Sequence, residues 1–196
     1  MQVEEPMPAA PLLETARLWL CLPSAPLAAE LSAYHRRNEA HFAPYTPRCP
    51  AGYHAVEAWY ERAAEQAQRC AGGEALHLLL FPRGGGSLLG EINFTGVIGR
   101  AFQAAYLGYK LDRAAVGKGL MYEALSAAIP FACEHLKLHR VMANFVPSNA
   151  RSASLLKRLG FGIEGYAREY LLLDGVWKDH VLTSFINPDW RAEPVD

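Results

Sequence analysis

The chain has 196 residues, of which 51% are apolar and 20% are charged, and its formal net charge is −1 at pH 7. This composition is typical of one globular domain with a sizeable core. The near-zero charge excludes a protein that attracts nucleic acid or anionic membrane through a general positive field. Because no run of about 18 apolar residues occurs, no membrane-spanning helix is expected.

The first eleven residues are acidic and rich in proline, which is unlike a signal peptide. We therefore expect a flexible arm over residues 1–11, a single domain over 12–190 and a short tail over 191–196. The cysteines are far apart and form no Cys-x-x-Cys pair, so we expect buried free thiols in a cytoplasmic protein. They are Cys21, Cys49, Cys70 and Cys133.

The first half of the chain predicts a strand, two helices and three further strands. The apolar pattern places the first strand at residues 18–22 and helices at 27–41 and 56–70, the second helix with i, i+3, i+4 spacing. Strands at 76–81 and 87–94 flank a glycine-rich turn, and another strand is expected at 102–111.

The second half alternates helices and strands and ends in a hairpin. A helix is predicted at 120–136, a strand at 139–145 and a short helix at 149–159. The pair Asp174-Gly175 predicts a hairpin between strands at 166–173 and 177–186. The order β-α-α-β-β-β-α-β-α-β-β indicates an α/β protein whose mixed sheet carries helices on its faces.

The segment Gly117-Lys118-Gly119 joins a predicted strand to a predicted helix. Backbone N–H groups at a helix N-terminus, together with the helix dipole, bind phosphate well. A P-loop would need glycine and Ser or Thr where this chain has Asp112 and Gly119, and a dinucleotide fingerprint would need glycine in place of Tyr122. The turn therefore indicates another phosphorylated ligand, or else a tight turn without one.

Four segments occur in a defined order along the chain: Tyr106-Leu107-Gly108-Tyr109; Gly117-Lys118-Gly119-Leu120-Met121; Asn149-Ala150-Arg151-Ser152 with Leu159-Gly160-Phe161; and Leu173-Asp174-Gly175-Val176-Trp177-Lys178-Asp179-His180. Over about residues 12–190, they resemble the RimJ/RimL branch of the GNAT superfamily of acetyl-CoA-dependent N-acetyltransferases. The resemblance implies the GNAT fold, acetyl-CoA as cosubstrate and no metal.

The resemblance also implies which residues bind the cosubstrate. The strand before the turn would splay at a bulge, for which Gly108 is suited, and its free backbone would pair with the pantetheine arm. Ala114 departs from the Gln or Arg that the superfamily prefers, so Arg113 and Lys118 would supply positive charge, with Arg151 and Lys157 near the phosphates. The cofactor-binding residues so implied are Leu107, Gly108, Tyr109, Leu111, Val116, Gly117, Lys118, Gly119, Leu120, Met121, Asn149, Arg151 and Ser152.

Catalysis by direct attack of an amine needs an acid, a base and a group that polarises the thioester. Many members of the superfamily place an acidic tyrosine where this chain has Leu156, so Ser152 is the candidate general acid. The N–H of Tyr109 would polarise the carbonyl. For the base, the candidates are Glu169, ranked first, then Glu91 and Glu164, acting through water.

The leading hypothesis is a cytoplasmic enzyme, a monomer or homodimer, that acetylates the α-amino group of a protein N-terminus. The specific acceptor considered is N-terminal alanine of a ribosomal protein, and no nucleic-acid or membrane partner is expected. Two alternatives stay open: an acetyltransferase of a small amine such as an antibiotic, amino acid or polyamine, and a non-catalytic CoA-binding domain.

Overall fold

The structure, a computed structural model, describes residues 10–191. The expected arm over 1–11 and the expected tail over 191–196 lie almost wholly outside the described residues. The strands are β1 (Leu13–Glu14), β2 (Leu18–Cys21), β3 (Leu76–Pro82), β4 (Gly90–Ile98), β5 (Ala104–Leu111), β6 (Arg140–Met142), β7 (Gly162–Leu173) and β8 (Val176–Ile186). The α-helices are α1 (Ala28–Arg37), α2 (Glu39–Phe42), α3 (Val56–Ala71), α4 (Leu120–His135) and α5 (Ala150–Arg158).

The predicted order of elements is confirmed, with the short strand β1 and the short helix α2 added to it. All strands join one mixed sheet in the order β1-β2-β3-β4-β5-β6-β8-β7. No helix within residues 10–191 has both the length and the apolar character that a membrane crossing requires.

Every strand pairing is antiparallel except the one between β5 and β6. These two strands pair only from Ala104 to Tyr106 on β5, opposite Arg140 to Met142 on β6. Beyond Tyr106 the partners diverge, because β6 ends while β5 continues to Leu111. The sheet is therefore forked near its centre.

Apolar side chains cover both faces of the sheet. One core cluster joins the buried side of α4 to the strands and includes Leu125, Ile92 and Phe94. The other joins α1 and α3 to the sheet through residues such as Leu31 and Trp59. Burial of these two clusters holds the helices on opposite sides of the sheet, as the α/β pattern predicts.

The predicted helix at 27–41 is interrupted at Asn38, which is almost fully buried. Its Nδ2 donates to the Tyr34 carbonyl at 3.0 Å and to Asp112 Oδ2 at 2.9 Å. Its Oδ1 accepts a hydrogen bond from the backbone N–H of Arg113 at 3.0 Å. The interruption therefore anchors the chain that leads into the glycine turn.

The bulge is not at Gly108, where the sequence led us to expect it. Gly108 pairs with Asn93 in regular register, whereas the shift lies on the facing strand between Thr95 and Ile98. There Gly96 has φ +60°, a conformation that glycine adopts without strain. The strands diverge after Tyr106 because β6 is short, and no bulge in β5 is needed.

All four cysteines are free thiols, as predicted. Three are buried, and burial raises the pKa of the Cys21 and Cys133 thiols to about 11. Cys49 is exposed, which corrects the expectation that all four would be buried. It lies in the loop between α2 and α3, outside both core clusters.

Candidate functional site

A cavity of about 760 Å³ lies at the fork, between the free end of β5 and residues 143–146 that follow β6. The turn before α4 and the exposed side of α5 complete its walls. Of the cofactor-binding residues expected from the sequence, all but Lys118 line it. They are Leu107, Gly108, Tyr109, Leu111, Val116, Gly117, Gly119, Leu120, Met121, Asn149, Arg151 and Ser152.

The free edge of β5 offers backbone groups to this cavity. The N–H of Asp112 donates to the Leu89 carbonyl on the β4 side at 2.7 Å. Because peptide groups alternate in direction along an antiparallel strand, those of Tyr109 and Leu111 face away from β4. They face the side that β6 has already left, so an extended ligand could pair with them as an added strand.

The glycine turn takes the conformation that a phosphate-binding turn requires. Gly117 has φ +84° and Gly119 has φ +74°, and α4 begins directly afterwards. The Arg17 guanidinium links the turn to the first turn of α4. Its Nη1 donates to the Lys118 carbonyl at 2.9 Å, and its Nε lies 2.6 Å from Glu123 Oε2. The Lys118 side chain is absent from the cavity wall, so the turn contributes backbone N–H groups.

The positive charges of this part of the cavity come from α5. Arg151 and Arg158 line the cavity and lie seven residues apart, which is two helical turns on one face. The Arg158 guanidinium lies 4.1 Å from the centroid of the Tyr122 ring. Lys157 and Arg113, which the sequence suggested, are not among the lining residues.

Tyr109 and Ser152 form a hydroxyl pair inside the cavity. Tyr109 Oη and Ser152 Oγ are 2.6 Å apart. Burial raises the pKa of Tyr109 to about 12, so its hydroxyl stays protonated at neutral pH. Asn149 Oδ1 accepts from the Ser152 N–H at 3.1 Å and caps α5. The sequence had assigned Tyr109 only a backbone role, and nothing local indicated that its hydroxyl would meet a residue 43 positions away.

None of the described residues that line this cavity is Asp or Glu. Glu91 is buried, and its Oε1 lies 3.0 Å from Lys110 Nζ while its Oε2 lies 3.3 Å from His35 Nε2. Burial alone would raise the pKa of Glu91, but the Lys110 charge and the His35 hydrogen bond lower it to about 2. Glu91 is therefore a fixed counter-ion for its neighbours.

The other two candidate bases lie on β7. Glu164 accepts hydrogen bonds from Arg140 and from Ser184, the latter at 2.7 Å, and these bonds lower the pKa of Glu164. Glu169 is exposed and has φ +48° in an irregular stretch between Ala167 and Leu171. Its N–H donates to Asp179 Oδ1 at 2.8 Å. The assignment of Glu169 as base stays a prediction.

Two histidines, His41 and His180, line the same cavity and were not singled out from the sequence. A single histidine within a helix or a strand gives no local signal that its ring faces a cavity. Among residues 10–191 no group of three or more His, Cys, Asp or Glu side chains is arranged to hold a metal ion.

A second cavity of about 520 Å³ adjoins the first and shares Phe42, Thr46 and Lys110 with it. The tip of the β7–β8 hairpin is tied to this region, because the Asp174 N–H donates to the Thr46 carbonyl at 2.9 Å. Arg48 Nε lies 3.3 Å from Asp174 Oδ1. The loop after α2 and the last hairpin thus meet beside the first cavity.

Comparison with known proteins identifies the fold and the family. Residues 17–162 match the model of the acetyltransferase (GNAT) domain. The ribosomal protein uS5-alanine N-acetyltransferase of Escherichia coli (strain K12) is 40% identical over 178 residues, which are 91% of this chain and 92% of that protein.

Solved structures agree with this match. The ribosomal-protein-S5-alanine acetyltransferase from Vibrio fischeri superposes with a TM-score of 0.88 at 31% identity, covering 92% of this chain and 98% of that one. Mycobacterium smegmatis RimJ in complex with CoA-disulfide superposes with a TM-score of 0.80 at 26% identity, covering 86% and 81%. The chain therefore belongs to the GNAT superfamily of N-acetyltransferases, in its RimJ/RimL branch.

Proposed function

We propose that this enzyme transfers an acetyl group from acetyl-CoA to the α-amino group of a protein N-terminus, with N-terminal alanine of a ribosomal protein as its acceptor. The cavity at the fork of the sheet carries the proposal for the cosubstrate. For the acceptor, the support is the 40% identity, over 91% of the chain, to an enzyme named for ribosomal protein uS5-alanine.

Two parts of the cavity wall support a binding mode for the pantetheine arm and for the pyrophosphate of acetyl-CoA. The free peptide groups of Tyr109 and Leu111 suit the amides of a pantetheine arm, which would lie along β5 as an added strand. The glycine turn presents N–H groups at the start of α4, where a pyrophosphate is favoured. Arg151 and Arg158 add positive charge along the α5 wall.

The charges of the cavity wall favour an α-amino group over a lysine side chain. With no carboxylate among the described lining residues, an incoming ammonium group meets no counter-ion and must lose its proton to react. An α-amino group has a pKa of about 7.7–8.0, against about 10.4 for lysine. Deprotonation near neutral pH is therefore easier for the α-amino group by about 3.4 kcal/mol.

The Tyr109–Ser152 pair is suited to protonate the leaving sulfur. As the amine nitrogen bonds to the acetyl carbon and the carbon–sulfur bond breaks, the electron pair goes to sulfur. Tyr109 or Ser152 donates a hydroxyl proton to it. A proton from the attacking nitrogen restores the hydroxyl. The Tyr109 N–H, at the free edge of β5, is suited to polarise the thioester carbonyl.

The direct test incubates the purified protein and acetyl-CoA with peptides that begin with Ala, Ser or Met and contain one internal lysine, and separately with free amines. Thiol release gives the rate, and fragment masses locate the acetyl group. We expect the Ala-initiated peptide to be acetylated at its α-amino group only. Turnover of free amines without any acetylation of that peptide would overturn the proposed acceptor. CoA binding without turnover would overturn the proposed reaction.

A further inference from the structure

The cavity wall offers few groups that can take a proton from the acceptor. Its charged residues are the cations Lys110, Arg151 and Arg158, and no carboxylate is found among the described lining residues. Imidazole is the side chain that changes charge near neutral pH. Only His41 and His180, of the described wall, carry one.

The strand that carries His180 fixes the tautomer of its neutral ring. Its Nδ1 lies 3.0 Å from the Lys178 carbonyl oxygen, and because a carbonyl only accepts, Nδ1 must carry the proton. In the neutral ring, Nε2 is then the atom with the free electron pair.

The Nε2 atom makes no hydrogen bond to another residue within 10–191, whereas Nδ1 makes the one described above. His180 is 3% exposed and lines the cavity. The ring thus meets the cavity with Nδ1 engaged by its own strand, which leaves Nε2 as the nitrogen for an acceptor.

The position of His180 places it beside the fork. The next residue, Val181, forms a β-bridge with Phe145 on the far wall of the cavity. The ring packs against Tyr170 of β7 with centroids 5.3 Å apart. Tyr170 Oη in turn accepts from Asn144 Nδ2 at 3.1 Å, so the ring that packs against His180 is itself anchored to a residue of the cavity wall.

The ionisable neighbours of His180 are few. Burial raises the pKa of Tyr170, which faces the ring from β7 and has Tyr106 of β5 beside it. On its own strand the neighbours are Lys178 and Asp179. The pKa of Asp179 is lowered by hydrogen bonds from Tyr166 and Glu169 and by the nearby charge of Arg168.

We propose that His180 is the general base of this acetyltransferase, a proposal that rests on the function proposed above. Neutral His180 takes one proton from the acceptor ammonium on Nε2. The amine then attacks the thioester carbon with its freed electron pair. A second proton passes from nitrogen to the leaving sulfur through the Tyr109–Ser152 pair, and His180 releases the first proton to solvent.

His41 lacks the features that fit His180 for this role. It lies on the short helix α2 and is partly exposed, and its ring contacts Phe42 with centroids 5.4 Å apart. No hydrogen bond within the described chain fixes which of its nitrogens carries the proton. It serves as the matched control.

The test compares His180→Asn, His41→Asn and Glu169→Gln with the wild type over pH 6 to 9.5, using whichever acceptor the wild type acetylates. The Asn amide can still donate to the Lys178 carbonyl but takes up no proton. We expect His180→Asn to lower kcat at pH 7 by about 10²-fold or more, the usual contribution of a general base. The KM for acetyl-CoA should stay within about twofold, because the edge of β5, the glycine turn and the α5 arginines proposed to bind the cosubstrate are unchanged.

The pH profile separates a catalytic role from a structural one. The loss in His180→Asn should shrink as pH rises and the acceptor amine deprotonates unaided, whereas a packing defect would persist at every pH. Glu169→Gln tests the other candidate base, and a loss in that variant that shrinks as pH rises would assign the role to Glu169 instead.

An unchanged kcat in His180→Asn would overturn the proposal. So would a pH-dependent loss of kcat that appears in Glu169→Gln or in His41→Asn instead. Thermal unfolding checks the fold, and His180→Gln replaces any variant that fails to fold. Activity on free amines alone would contradict the proposed acceptor while still testing His180.

Discussion

Two hydroxyl groups and one imidazole carry the proton transfers that we propose at the fork. Tyr109 comes from β5, Ser152 from the first turn of α5, and His180 from β8. The hydroxyl pair is defined by its 2.6 Å separation and by the burial that keeps Tyr109 protonated. Each side chain reaches the cavity from a different element, so the site depends on how these elements meet.

At this scale we predict that Tyr109→Phe lowers kcat by about 10²-fold, within the usual range for loss of a general acid. Ser152→Ala should cost a similar factor, because either substitution breaks the hydroxyl pair. CoA affinity should change little in either variant, since the ring and the helix cap remain. Stopped-flow thiol release and calorimetric CoA binding would measure the two effects. A wild-type kcat in both variants would remove this pair from the mechanism.

At the scale of elements, the rotation of α5 about its axis determines which of its basic residues face the cavity. Arg151 and Arg158 lie on the face that lines the cavity, while Lys157, one position earlier, points elsewhere. The sequence supplied both basic residues side by side, and only the packing of α5 distinguishes them.

We predict that Arg158→Ala raises the Kd for CoA by about tenfold, which corresponds to about 1.4 kcal/mol and is close to the usual contribution of a hydrogen bond to a charged group. Lys157→Ala, the adjacent control, should leave it unchanged. Calorimetry at constant ionic strength is required, because salt screens such interactions. If both substitutions raise the Kd for CoA equally, the helix acts through its overall positive charge and Arg158 makes no direct contact with CoA.

Elements defined by local pattern were predictable from the sequence, and those defined by distant partners were not. The strands, the main helices and the hairpin at Asp174-Gly175 follow from periodicity and turn chemistry. The break at Asn38 depends on hydrogen bonds to Asp112, 74 residues away. The register shift lies on β4, not at Gly108. Either strand of a pair can carry such a shift, so the glycine in β5 did not decide its place.

The candidate site was predictable to a similar extent. The resemblance located the β5 edge, the glycine turn and the start of α5, and the cavity contains twelve of these residues. It did not locate His180 or Arg158, which depend on side-chain direction. Nor did it show that the Glu91 carboxylate would pair with Lys110 and His35, because these contacts exist only after folding.

At the scale of the whole molecule, Glu91 links three parts of the structure: β4, Lys110 of β5 and His35 of α1. Its pKa is lowered to about 2 in the folded protein, below its value of about 4.3 in an unfolded chain. The charged carboxylate therefore contributes stability above about pH 4.3, and this contribution is lost as pH falls towards about 2.

We predict that Glu91→Gln lowers the free energy of unfolding by about 1–3 kcal/mol at pH 7, because it removes the buried carboxylate that pairs with the partly buried Lys110 charge. Between about pH 4.3 and about pH 2, the stability of the variant should also fall less than that of the wild type, because Glu91 no longer takes up a proton. Glu164→Gln, which removes an exposed pair with Arg140, should cost at most about 1 kcal/mol. Urea unfolding across this pH range would measure both. Equal losses in the two variants would contradict the buried-charge explanation.

The fork between β5 and β6 also bears on how the two parts of the sheet are joined. Three residue pairs connect the half that ends at β5 to the half that begins at β6, and the cavity lies directly beyond the last of them. A strand-like ligand bound along the free edge of β5 would therefore add backbone hydrogen bonds where β6 has ended, and its binding would tie the two halves together.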